Sequence, residues 1–175
     1  MDAYTKSFLL LVTLLNPFLM SIYLLDLIKD LEATTFMRVL ARGAAIAGAV
    51  FALFAWTGDA IFSRYLQVRF ASFQVFGGVV FLIIGIRFVF QGVETIRGLR
   101  GAPEHLAGSI AMPFMIGPGT VSASVVAGAR LPLLGAVAVI ATALVTTVVL
   151  VLVLKVAHDR FKESNARLTD RYIEV

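Results

Sequence analysis

The sequence predicts an all-α membrane protein, a polytopic helical bundle in which the first and fourth spanning helices are broken. Three observations lead there. Hydrophobic residues make up 59% of the 175 and charged residues 15%, with a mean hydropathy of +0.93; a soluble domain of this length needs far more polar surface. The apolar residues gather in five stretches, about 7–28, 36–57, 71–90, 106–129 and 131–154, here segments A to E. Each is close to the roughly 20 residues that carry a helix across a bilayer. The charges fall almost entirely between the segments. A single transmembrane domain, 1–175, is expected.

Segment A reads "LVTLLNPFLMS", with Asn16-Pro17 well inside the apolar run. A proline within a helix removes a backbone hydrogen bond and clashes with the preceding turn, at about 3 kcal/mol. At the first position of a helix it costs almost nothing, because that N–H has no helical partner anyway. Asparagine is among the strongest N-caps. Asn16-Pro17 therefore predicts the start of a second half-helix inside the membrane. Only Lys6 precedes the run and no small-residue cleavage site follows, so segment A reads as a retained helix and not as a signal peptide.

Segment B carries small residues at four-residue spacing, Ala41, Ala45 and Ala49 on one face with Ala44, Gly48 and Ala52 beside them. Such rows let membrane helices approach closely; internal packing is expected, with a homo-oligomer as the other use. Segment C opens with Gln74, followed by Gly77-Gly78, which are expected to permit close helix contact. Gln74 either reaches a cavity and binds polar substrate atoms or makes an interfacial hydrogen bond. Arg87, about one turn from the end of the segment, is expected to snorkel to the headgroups, with Asp26 at a similar level as a partner. Segment D contains Pro113 and then Gly117-Pro118-Gly119, a second break with a proline at helix-start position. Segment E is unbroken.

Overlaying Pro17 on Pro118 sets an offset of 101 residues, which carries segment B onto about 137–158, overlapping segment E, and segment C onto about 172 onward. The pattern predicts a 3+3 inverted-topology repeat. Repeat one covers about 7–92 and repeat two about 106–175; the sixth helix would begin where the sequence stops. "DRYIEV" at the end resembles the "VRFASF" that opens segment C.

Lysine and arginine set the orientation. Ten of them (Lys29, Arg38, Arg42, Arg97, Arg100, Lys155, Arg160, Lys162, Arg167 and Arg171) fall on one side, and four (Lys6, Arg64, Arg69 and Arg130) on the other. The positive-inside rule then puts the N-terminus outside and residues 155–175 in the cytoplasm of an inner, plasma-membrane protein. The net charge of +4 is explained by this bias; no basic helix face with interleaved aromatics is present, so no nucleic acid partner is expected. Cysteine is absent, which excludes disulfides and thiolate metal sites. No Gly-x-Ser-x-Gly, HExxH or phosphate-binding Gly-Lys motif occurs, and His105 and His158 lie in loop or tail. Neither an enzyme nor a cofactor or metal is expected.

The strings "LLNPF" in A, "FQVFGGVVFLIIGIR" in C and "AMPFMIGPGTVSAS" in D resemble, in order and spacing, the MarC family of bacterial and archaeal inner-membrane proteins. The resemblance implies six transmembrane helices in two inverted triplets, and kinship with transporters of small neutral amino acids such as glycine and alanine. The chain departs from the family pattern after Asn-Pro-Phe, with Leu19, Met20, Ser21 and Ile22 in place of Gly-Asn-Ile-Pro, and with Ser109 where an extra proline is frequent.

The function expected is secondary transport or export of a small neutral solute bearing a carboxylate. With A descending and D ascending, the two half-helix N-termini converge near the midplane. Each carries roughly half a positive charge and several unbonded N–H donors, the geometry by which discontinuous helices hold anionic groups. Asn16, Pro17, Gly117, Pro118, Gly119, Thr120, Thr13 and Gln74 are the candidate substrate-binding residues, with Ser122 and Ser124 as further hydroxyls. No acidic residue lies near the midplane to relay a proton. The rival reading is a non-transporting integral membrane scaffold or stress-associated partner-binding protein, in which the breaks serve packing.

Overall fold

A computed structural model describes residues 1–58, 60–65, 67, 69–91 and 115–173, and no strand occurs among them. The elements are α1 (Ala3–Leu15), α2 (Pro17–Tyr23), α3 (Leu25–Asp30), α4 (Ala33–Thr57), a π-turn (Ile61–Tyr65), α5 (Phe70–Gln91), α6 (Pro118–Arg130) and α7 (Leu133–Ile173). Among the described residues, four stretches are long and apolar enough to cross a membrane: Ala3–Tyr23, Ala33–Thr57, Phe70–Arg87 and Leu133–Phe161. Of segment D, the part from 106 to 114, with Ser109 and Pro113, lies outside the described residues, as does the Asp26 side chain expected beside Arg87.

Local chemistry sets the helix ends. Asp2 caps α1, its carboxylate accepting from the Thr5 N–H at 3.0 Å. α1 stops at Asn16, whose backbone is left-handed (φ 43°, ψ 77°), a conformation asparagine tolerates better than other side-chain-bearing residues. The Asn16 N–H donates to the Val12 carbonyl at 3.0 Å, closing α1. Its side-chain oxygen accepts from the Leu19 N–H at 3.1 Å, opening α2, and Pro17 takes the first helical position.

α1 and α4 pack against α6 and α7, α2 lies against α7, and α5 is attached through α6. Leu11, Leu15, Phe36, Leu40, Ala47, Phe51, Ala127, Ala143 and Val151 form the shared core. A Cβ at Gly128 would collide with the Ala55 carbonyl, so glycine there lets α6 cross α4 at backbone contact. Phe62 of the π-turn stacks on Phe54 and packs at a tilt against Phe73 (ring centroids 5.6 and 4.8 Å), tying the α4–α5 corner together. Outside this core large apolar side chains are bare, including Leu134 at 85% and Phe90 at 84% exposure, as a surface solvated by hydrocarbon requires.

Three features differ from expectation. The buried line of α4 runs through Phe36, Leu40, Gly43, Ala47, Phe51 and Ala55, whereas Ala41, Ala45 and Ala49 lie on its exposed side. Helix packing took a line that mixes large and small side chains, with Ala44, Gly48 and Ala52 half-buried beside it. α7 continues unbroken to Ile173, so Tyr172 lies within it and opens no new helix; no glycine or proline interrupts residues 133–173 after Gly135. Lys155, expected among the solvated tail cations, is buried, with its ammonium donating to the Ile28 carbonyl at 2.6 Å and to Asp159 at 2.8 Å. It caps the C-terminal end of α3 from another helix.

Candidate functional site

The start of α6 is built by Thr120. Its hydroxyl accepts from the Gly117 N–H at 2.9 Å and shares its one proton between the Met115 and Gly117 carbonyls, at 2.8 and 3.0 Å. Thr120 is buried, and this work occupies its polar atom. Gly117, the N-cap, has no side chain to accept from the amides of Gly119 and Thr120, and Pro118 has no N–H to offer. The first helical hydrogen bond is from Val121 to the Gly117 carbonyl. At the positive end of the α6 dipole the cap therefore offers these two donors no side-chain acceptor.

A groove of about 400 Å³ opens at the start of α6, lined by Leu10 and Leu14 of α1, Gln74 and Gly78 of α5, and Pro118, Gly119, Ser122, Ala123 and Val126 of α6. Close approach of α5 is made possible by Gly77, where a Cβ would collide with the Pro118 ring. Gln74 then reaches across: its Nε2 donates to the Ser122 hydroxyl at 2.9 Å, and that hydroxyl donates to the Pro118 carbonyl at 2.6 Å. The relay ties α5 to the first turn of α6. It also leaves the Gln74 carbonyl oxygen available as an acceptor on an otherwise apolar wall.

Of the residues singled out from sequence, Gln74, Pro118, Gly119 and Ser122 meet at this groove. Gly117 and Thr120 stand behind it as the scaffold of the turn. Asn16, Pro17 and Thr13 do not line it; Asn16 and Thr13 are exposed, and the Asn16 side chain is committed to capping α2. Ser124 is buried and donates to the Thr120 carbonyl at 2.8 Å. Leu10 and Leu14 were not anticipated. They stand one turn apart on α1, and Leu14 comes within ordinary contact of the Gly119 Cβ position, at 3.4 Å. Nothing in segment A alone distinguishes them from its other leucines.

Comparison with known proteins identifies the family. The model for MarC family integral membrane proteins matches residues 1–172. The chain belongs to the MarC family. A curated relative, the UPF0056 membrane protein of Aquifex aeolicus (strain VF5), is 23% identical over an alignment of 129 residues that covers 68% of this chain and 58% of the relative. The MarC chain thus spans less than two thirds of that relative's length. No solved structure matches it. With several apolar helices of spanning length, this MarC protein is a multi-pass membrane protein.

Proposed function

We propose that this MarC protein is a secondary carrier or exporter, not an enzyme, for small neutral solutes that bear a carboxylate, amino acids of the size of glycine or alanine. The observation that carries the reading is the groove at the α6 N-terminus, where the amides of Gly119 and Thr120 face a cap without a side chain. A carboxylate supplies the acceptor those donors lack and the negative charge the dipole favours. The Gln74 carbonyl oxygen accepts from the substrate ammonium, and Leu10 and Leu14 close the groove to larger side chains.

In this reading α2 and α6, each opening on a capping residue followed by proline, are the corresponding break points of an inverted 3+3 repeat. The basic loops and residues 155–175 face the cytoplasm of the inner membrane and the N-terminus lies outside. Uptake of labelled glycine and alanine into proteoliposomes tests it. The wild type should show saturable uptake, and Gly119→Leu, which fills the groove against Leu14, should abolish it while folding normally. Absence of uptake by the correctly inserted wild type, under proton and sodium gradients alike, refutes the glycine and alanine assignment.

A further inference from the structure

The geometry points to a binding site for one anionic phospholipid on the outward face of α4 and α7, separate from the solute groove. An acyl chain lies between the two helices and the phosphate sits on Arg38 and Arg42. The trough holds about 410 Å³, with Ala41, Ala45 and Gly48 on its α4 wall and Ile140, Leu144 and Val148 among those on its α7 wall. No polar side chain lines it.

Charge gathers at one end. Gly48 meets Leu144, while Lys155, about three turns further along α7, reaches Ile28 just ahead of α4. The two helices therefore run antiparallel, with the first turns of α4 beside the Lys155 end of α7. Arg38 and Arg42 precede Ala41 and Ala45 by three residues each, neighbours on the helix surface that edge the trough. Both are exposed, and among the described residues neither has an ion-pair partner. Arg160 is exposed on α7 at the same end.

Any lipid chain fills an apolar trough; selection of a headgroup needs charge. The guanidinium fork matches phosphate oxygens in a bidentate way, and basic pockets between membrane helices suit anionic headgroups. A second copy of the chain is the other candidate for a face rich in small residues. In a two-fold pair across this face, however, Arg38 and Arg42 of each copy would meet their own counterparts, a like-charge contact.

The test is native mass spectrometry of the delipidated full chain, titrated with equal amounts of phosphatidylglycerol and phosphatidylcholine. The wild type should retain one phosphatidylglycerol in preference to phosphatidylcholine by roughly tenfold, and the preference should shrink as salt is raised. Arg38→Gln with Arg42→Gln should equalise the two lipids, and Ala45→Leu should reduce retention of both. An unchanged, salt-insensitive preference overturns the proposal. So does a wild-type dimer that Ala45→Leu converts to monomer, which would assign the trough to a second copy. The wild-type salt series tests the headgroup preference even if a variant misfolds.

Discussion

Asn16 closes one helix and opens the next with the same residue, and its substitutions separate the two contributions. Alanine keeps a Cβ at a left-handed position and loses the cap, so Asn16→Ala should lower stability by about 1 kcal/mol. Glycine loses the cap but suits φ 43°, so Asn16→Gly should cost only a few tenths; thermal unfolding in detergent ranks the pair. Lys155→Met removes two charge-assisted bonds and leaves the Ile28 carbonyl unsatisfied. A loss of about 2 kcal/mol is expected in the same assay. The two residues were not equally legible. Asn16-Pro17 announces itself because its backbone preferences are local. Lys155 does not, because its backbone partner lies 127 residues away and a lysine beyond the apolar run looks like any tail cation.

The contacts between elements turn on glycines that admit a neighbour's backbone or ring. Gly128→Ala drives a methyl into the Ala55 carbonyl, and Gly77→Ala drives one into Pro118; each should destabilise by about 1–3 kcal/mol. Gly85→Ala meets nothing within 4 Å and should stabilise α5 by about 0.5–1 kcal/mol, which makes it the internal control in a thermal-shift series. Gln74→Leu should lose only the hydrogen bond to Ser122, about 0.6 kcal/mol by the average for such bonds in membranes, and a Gln74→Leu, Ser122→Ala cycle measures it. The breakers in segments A and D were readable as helix starts. The packing phase of α4 was not: small residues occur on several of its faces, and in a membrane both the protein-facing and the lipid-facing sides are apolar. Hydrophobicity, which separates inside from outside in water, carries no such information there.

For the whole molecule, membrane class followed from composition, because so little polar side chain is available to face water. The candidate site was legible only in part. Pro118, Gly119 and Gln74 carry chemistry that marks them, but the third wall, Leu10 and Leu14, becomes visible only once α1 is laid against α6. Both break points were expected to frame the site; the groove is lined at the second, with Asn16 and Pro17 outside its walls. The proposed carrier site rests on the α6 N-terminus, where the N-cap offers the amides of Gly119 and Thr120 no side-chain acceptor and a carboxylate would supply one. The direct measurement is competition against labelled alanine counterflow in proteoliposomes by glycine and by glycinamide, which keeps the size and the amino group but replaces the carboxylate with a neutral amide. Strong competition by glycine and little or none by glycinamide is the predicted result. Equal competition by the two would contradict it, since a site built on the positive end of a helix must distinguish an anion from its amide.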